Sequence, residues 1–300
     1  TVWSRALHAL GLGSVPLSPK EWDAFWRDGT VRTVGREYNG LKVSACSTEL
    51  RCVSCHSMHE SDPEDQLKAG SEGDGACKSC HGAYFENIMA HTFHSEDSSG
   101  SRCQNCHMPH TTYGLLGASR SHRIDIPDPV WMQERGRPNA CNLCHLDRTV
   151  QWAENAVAQW FDRPVKTEAS PDASIPVGAR WILSGDAAVR AITTWHLAWK
   201  PARETGQTLR WAAPYLIETL ADEYAAARAI AEQVVRDVYP QTPYRYEKHA
   251  QASDHVVKQV NAHWGGHILS EHSVNPLVDQ NGRPNSAFRR LRQSRDHRPV

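Results

Sequence analysis

The chain has 300 residues and no run of 18 apolar ones, which excludes a transmembrane helix of ordinary length. It has no excess of either charge. Its 33 basic and 34 acidic side chains leave a formal −1, which gives no case for nucleic acid or an anionic membrane surface as partner. Residues 1–30 lack the charged start, apolar stretch and small-residue cleavage site of a signal peptide. Methionine is scarce, with four residues. Between residues 46 and 146 hydrophobic periodicity is also scarce. Gly-, Ser- and Pro-containing stretches such as Ser95 to Ser101 and Ile126 to Pro129 interrupt it.

What that stretch has instead is cysteine and histidine in one repeated arrangement. Four C-x-x-C-H pentads occur: Cys52-Val53-Ser54-Cys55-His56, Cys77-Lys78-Ser79-Cys80-His81, Cys103-Gln104-Asn105-Cys106-His107 and Cys141-Asn142-Leu143-Cys144-His145. The pentad is the attachment site of c-type haem. Its two thiols form thioethers with the haem vinyl groups, and the following His takes one axial position of the iron. Zinc sites also use C-x-x-C pairs, but zinc gives no reason for a His after every second Cys. A thioredoxin-like dithiol needs one such pair, not four in series. A disulfide framework belongs to much smaller domains with irregular spacing. The expected cofactor is therefore haem c, four copies, covalently attached through Cys52, Cys55, Cys77, Cys80, Cys103, Cys106, Cys141 and Cys144, with His56, His81, His107 and His145 as proximal ligands. Cys46, the ninth cysteine, is expected to be a buried thiol or a link to another chain.

Haem c is attached outside the cytoplasmic membrane in bacteria, so the expected location is extracytoplasmic, either periplasmic or extracellular. Thr1 is then a mature or trimmed start, or the chain is a piece of a longer precursor. Each ferric haem with its two propionates adds about one negative charge, which makes the loaded protein acidic.

Four segments follow from the pattern. Residues 1–45 are a lead-in, with a capping box at Ser18-Pro19-Lys20-Glu21 opening a helix through Trp26 and a short extended piece from Val31 to Val34. Residues 46–146 form a tetrahaem cytochrome c domain, with short helices starting near each pentad and haems rather than secondary structure organising it. Residues 147–240 form a helical region. Ala153, Ala156, Val157, Trp160 and Phe161 mark one helix that Pro164 stops, and 165–178 read as a linker. Ala188, Ile192, Trp195 and Trp199 mark the next, then Pro214, Ile217 and Leu220, then Ala227, Ile230, Val234 and Val238. The stretches Asp186 to Arg190 and Asp222 to Arg228 resemble each other, as paired helices of HEAT repeats do. Residues 241–300 read as an extended basic tail. The fold class expected is mainly α with much irregular structure.

The pentads fill one axial position of each iron. Thirteen further His are available for the other: His8, His59, His91, His94, His110, His122, His196, His249, His255, His263, His267, His272 and His297. Met58 and Met108 follow a proximal His too closely to reach the far face of the same ring, which leaves Met89 and Met132 as thioether alternatives. His59 lies three residues after His56 and can reach only a neighbouring haem. His91 and His94 share a face if their stretch is helical. Either both ligate, on different irons, or one ligates while the other bonds a propionate. His122 sits in an Arg-Ser-His-Arg setting, and His110 is the runner-up. His196 is expected to be a buried structural His or a propionate partner.

Cys52 to Pro63, His91-Thr92-Phe93-His94, Cys103 to Pro109 with Thr111 to Leu116, Ser121-His122-Arg123-Ile124 and Pro138 to His145 recur in that order in one group. The chain resembles bacterial multihaem cytochromes c related to the tetrahaem cytochromes of hydroxylamine oxidation, often joined to HEAT or TPR helices. The resemblance covers roughly residues 30–240. It implies His59, His91, His94 and His122 as distal iron ligands. It argues against His110, whose position is commonly Lys there.

Bis-His coordination leaves no open iron site and keeps potentials below those of His/Met cytochromes. The expected function is therefore electron transfer between extracytoplasmic redox partner proteins, not catalysis. Two alternatives stand beside it: the protomer of an extracellular haem filament, or nanowire, and a haem enzyme of nitrogen-compound redox chemistry at one five-coordinate iron. Charge placement bears on the filament. Residues 45–100 hold ten acidic residues against Arg51, Lys68 and Lys78, while the last twenty hold Arg283, Arg289, Arg290, Arg292, Arg295 and Arg298 against Asp296. A basic tail of this kind either stays on its own chain or reaches the next protomer as a head-to-tail homopolymer. No membrane insertion by this chain is expected.

Overall fold

A computed structural model describes residues 24–57, 59, 62, 65–166, 172–205, 209–238, 276–279, 284–298 and 300. The expected helix from Ser18 lies mainly outside these residues, as do His8, His249, His255, His263, His267 and His272.

The described chain is mainly helical. α1 is Glu37–Lys42, α2 Cys52–Cys55, α3 Gly75–His81, α4 Ile88–Thr92 and α5 Cys103–His107. A hairpin follows, β1 Thr112–Gly114 paired antiparallel with β2 Gly117–Ser119. Then come α6 Pro129–Glu134, α7 Ala140–Cys144, α8 Val150–Trp160, α9 Val177–Ser184, α10 Ala187–Ala198, α11 Lys200–Glu204, α12 Leu209–Leu220, α13 Ala225–Val238 and α14 Ser286–Gln293.

Every pentad lies on a short helix: α2, α3, α5 and α7. Helical winding brings residues i and i+3 to one face, so both thiols of each pentad point the same way. Starts are set locally. The Asn139 side chain accepts from Asn142 N at 2.9 Å to open α7, and Asn87 accepts from Ala90 N at 3.2 Å to open α4.

The core lies in the helical region. Ile182, Leu183, Ile192, Tyr215, Leu216, Val234 and Val235 form it, with Leu143 and Leu146 reaching in from the fourth pentad and Trp26 and Tyr113 from further upstream. α10 lies at its centre, packed against α9, α12, α13 and the hairpin. The lead-in joins the hairpin through Val34 N to Tyr113 O (3.0 Å) and Tyr113 N to Arg32 O (2.8 Å).

Three features differ from the sequence expectations. α9 fills the space between the expected linker and the second helix. α12 starts five residues before Pro214 and carries that proline inside it. The tail is not wholly extended, because α14 places Phe288 and Leu291 in the core. Four tail arginines pair within the chain: Arg290 with Asp172 (2.6 Å), Arg292 with Glu218 (3.0 Å), Arg295 with Asp222 (3.5 Å) and Arg298 with Asp186 (3.6 Å). Among the described residues no helix is long and apolar enough to cross a membrane.

Candidate haem sites

Three pentad histidines each face one of the histidines expected as distal ligands. The ring centroids of His56 and His122 are 6.1 Å apart, those of His107 and His91 6.1 Å, and those of His145 and His94 6.4 Å. The corresponding interplanar angles are 30°, 6° and 30°. Parallel rings in van der Waals contact would be closer. A first-row metal ion bonded to one nitrogen of each ring, with bonds of about 2.0 Å, sets centroids about 6.3 Å apart. The observed spacings fit that arrangement.

The way His91 and His94 divide between two partners has a local cause. α4 ends at Thr92, and Phe93 takes the left-handed conformation (φ 56°) as its C-cap. The two imidazoles therefore leave the helix in different directions, His91 to the third pentad and His94 to the fourth. Thr92 Oγ1 and Ser101 Oγ lie 2.9 Å apart, and Ser101 Oγ donates to His94 O at 3.1 Å, which pins the turn. Gly100 is also required there, since a Cβ on it would run into the His94 ring. Gly40 does the same for His122, because its Cβ would lie 3.3 Å from His122 Cβ.

Ring tautomers follow from hydrogen bonds. His56 Nδ1 lies 3.1 Å from Asp65 O, His107 Nδ1 2.8 Å from Asp125 O and His94 Nδ1 2.6 Å from Thr92 O. A carbonyl oxygen can only accept, so Nδ1 carries the hydrogen in each case. In the neutral ring that leaves the Nε2 lone pair for a metal, and a carbonyl accepting from the other ring nitrogen is the usual way in which ligating imidazoles are oriented. Burial pushes His145 down to about 4 and also lowers His91 and His122, which keeps those imidazoles neutral.

Asp125 is held from both ends. Its backbone nitrogen donates to His107 O at 3.0 Å and its carboxylate pairs with Arg137 at 2.8 Å. Arg137 is fully buried and also pairs with the fully buried Asp28 at 2.9 Å. A lead-in acid thus fixes the carbonyl that orients a pentad histidine.

The second pentad differs. The ring beside His81 is Tyr84, 6.2 Å away at 44°, and Tyr84 also contacts His91 at 4.6 Å. Among the described residues no imidazole faces His81. His59, the fourth distal ligand implied by the resemblance, is exposed, with its carbonyl bonded by Ser57 Oγ. His110 sits elsewhere, enclosed by Trp195 (5.2 Å), Trp199 (5.0 Å) and His196 (6.0 Å), and burial holds it well below the ordinary histidine range. His196 is completely buried with Nδ1 bonded to Ile192 O at 2.7 Å. Met89 is exposed and Met132 is buried in α6.

The thiols place the four sites in chain order. All nine cysteines are free. Burial, then the Cys77 thiol, raises Cys55. Hydrogen bonding to Cys103 draws Cys77 down to about 7. Burial, then Asp74, raises Cys106 to about 11, and the same Cys106 raises Cys144 in addition to burial. First and second, second and third, and third and fourth pentads are therefore neighbours. The first two pentads are more exposed than the last two. Val53 in the first pentad is 71% exposed and Cys80 in the second is exposed, whereas Asn142 and Leu143 in the fourth are 0% and 1% exposed. Trp152 lies 4.7 Å from His145, and Trp160 lies 5.9 Å from His94 while stacking on Phe93 at 4.9 Å. The two tryptophans of α8 thus flank the fourth site.

A haem is apolar across most of its surface, so a chain built to hold four should present apolar side chains that it does not itself cover. Tyr38, Val53, Tyr84, Met89, Phe93, Leu115, Leu116 and Ile126 are exposed in the pentad-bearing stretch and its surroundings. Between Val177 and Val238 no large apolar side chain among the described residues is exposed. The residues present fit the group.

Comparison of the chain with protein-family models, curated proteins and solved structures finds no match.

Proposed function

We propose that the protein is a multihaem c-type cytochrome of the kind it resembles, carrying electrons between partners outside the cytoplasmic membrane. The observation that carries this reading is the trio of pentad histidines facing His122, His91 and His94 at 6.1, 6.1 and 6.4 Å. Chance placement would not put three pentad imidazoles opposite three histidines, each at the spacing of a shared metal. When bound, haem supplies a one-electron couple that changes state with little structural rearrangement.

The chain's own contributions are anchoring, ligation and insulation. The eight pentad thiols fix the edge of each porphyrin, and carbonyls of Asp65, Asp125 and Thr92 orient three imidazoles. The HEAT-like helical region packs against the helix of the fourth pentad, and the first two pentads are left more exposed to a redox partner. Adjacency of the sites in chain order supports a single path from exposed to enclosed. A head-to-tail filament remains a proposal of the same class. The in-chain pairing of Arg290, Arg292, Arg295 and Arg298 supports the alternative in which the tail stays on its own chain.

A haem enzyme is the second reading, and one observation favours it: His81 faces a tyrosine where the other three pentad histidines face imidazoles. Carbon monoxide added to the reduced protein separates the two. An unchanged visible spectrum is expected of four bis-His irons, with His59 completing the second. A shift in one quarter of the absorbance identifies an open second site and moves the assignment to the enzyme.

A further inference from the structure

Buried arginines in this chain face carboxylates: Arg32 meets Asp186 at 3.0 Å, Arg137 meets Asp28 at 2.9 Å and Arg190 meets Asp222 at 2.7 Å. Among the described residues the part-buried Arg120 and Arg180 have no such pair, and of the two Arg120 is the one that lies against a pentad helix. Its guanidinium is part-buried and makes three hydrogen bonds, to Gln104 O (2.9 Å), Met108 O (3.2 Å) and Asn105 Oδ1 (2.9 Å). None of these acceptors carries charge, and all belong to α5 or the residue after it, on which the third pentad is built. Asp74, the acid whose field reaches Arg120, is engaged by Cys103 N at 2.9 Å and by Arg102 at 3.8 Å. The arginine's own field reaches the Cys144 thiol of the fourth pentad.

Capping explains part of this, since carbonyls at a helix C-terminus attract a cation. It does not explain why the charge is left without a carboxylate where water is largely excluded. A fixed positive charge in such a place favours any neighbouring group gaining an electron, and low local dielectric leaves that interaction poorly screened. Around the exposed pentads Glu49, Asp65, Glu72 and Glu86 stand beside Arg51, Lys68 and Lys78, while at the third pentad the charge of Arg120 acts together with that of Asp74.

We propose that Arg120 is a redox-tuning residue whose charge raises the reduction potential of the haem held by Cys103, Cys106 and His107. This rests on the cytochrome reading above.

Potentiometric titration of the full haem-loaded chain, followed by visible absorbance, tests it. Arg120→Gln keeps a donor for the helix carbonyls and removes the charge. It should lower one midpoint potential more than the other three, at the haem whose spectrum His91→Ala alters. Arg120→Lys should restore most of that shift. Asn105→Asp provides a second variant that leaves the arginine in place. It loses the bond from Asn105 Nδ2 to Ser99 O but sets a carboxylate 2.9 Å from the guanidinium, and should lower the same potential. Four unmoved potentials in both Arg120→Gln and Asn105→Asp would overturn the proposal. So would equal shifts in Arg120→Lys and Arg120→Gln, which would make the hydrogen bonds responsible. Haem counting on the same samples by the alkaline pyridine spectrum keeps the two readings apart. Fewer than four covalent haems refutes the cytochrome assignment, whereas four haems with unmoved potentials refute the role of Arg120 alone.

Discussion

Residues 46–146 and residues 177–238 solve the same problem with different materials. The helical stretch has amphipathic helices of up to 14 residues and buries its own apolar side chains against one another. The pentad stretch has helices of four to seven residues, too short to be stable alone, and leaves Val53, Tyr84, Met89, Phe93, Leu115 and Leu116 exposed. One region carries its core in its sequence. The other, on the cytochrome reading proposed above, carries attachment points for a core that would arrive as haem. What holds the pentad stretch from within is polar and specific: the Arg137–Asp28–Asp125 cluster, carbonyl clasps on histidines, and side-chain caps.

The harshest way to break the contrast is to remove one attachment. Cys103→Ala with Cys106→Ala should cost the third haem and loosen the chain around His91, His107 and Asp125, leaving the helical region folded. Limited proteolysis would then cut within residues 82–125 while α9 to α13 stay protected. Protection of both regions would show that the pentad stretch folds without its third haem.

Within the helical region the corresponding break is electrostatic. Arg190 and Asp222 are both about 1% exposed and form a bidentate pair at 2.7 and 2.8 Å, joining the start of α10 to the start of α13. Removing Arg190 leaves the buried Asp222 with only its longer ion pair to Arg295 at 3.5 Å. Arg190→Ala should therefore destabilise the fold by about 3–5 kcal/mol. Chemical denaturation followed by far-ultraviolet circular dichroism measures it, and the haem spectra should stay unchanged at denaturant concentrations below the transition.

A pH experiment comes next in size. His196 is fully buried, and desolvation lowers it to about 4. Its folded value lies below its unfolded value, near 6.5, so the unfolded chain binds more protons between those two limits. Stability from this group is complete above about pH 6.5 and is lost as pH falls toward 4, by roughly 3 kcal/mol at most. Denaturation midpoints measured between pH 7 and 4 should fall, and His196→Gln should flatten that dependence. An equal slope in the variant would assign it to other groups.

The same contrast decides what could be read from the sequence. The pentads, α8, α10 and α13 were legible because each follows a local rule, either a fixed spacing or an apolar face. α9 was missed because Val177 to Ser184 is apolar nearly all round and short, with Pro176 before it and no periodic signal. The hairpin was missed because its turn is Leu115-Leu116 at φ 51° and 59°, where a two-residue turn normally announces itself with Asn-Gly. α14 was hidden by its arginines, which read as a solvated tail until their partners Asp172, Glu218 and Asp222 are known. At the sites, histidine types and numbers were legible, and the sharing of His91 and His94 between two sites was one of two alternatives left open, but which pentad each meets was not legible. It depends on one left-handed residue, Phe93, that no composition rule marks. The roles of Gly100, Asp125 and Arg120 are long-range and have no local signature.

Gly100 provides the finest test. It lies against the His94 ring so closely that any side chain must move the imidazole, and the ring's position opposite His145 is set by that contact and by Thr92 O. Gly100→Ala should leave the helical region untouched and cost the whole molecule only about 1–3 kcal/mol, as overpacking typically does. Its effect belongs to one site. Low-temperature electron paramagnetic resonance should show one low-spin signal altered or converted to high spin, the one that His94→Ala abolishes, with the other three unchanged. Serine should act like alanine, since Cβ is the offending atom. Four unaltered signals in Gly100→Ala would mean that His94 does not complete the fourth site, and that the pairing with His145 is packing between neighbouring rings rather than shared ligation.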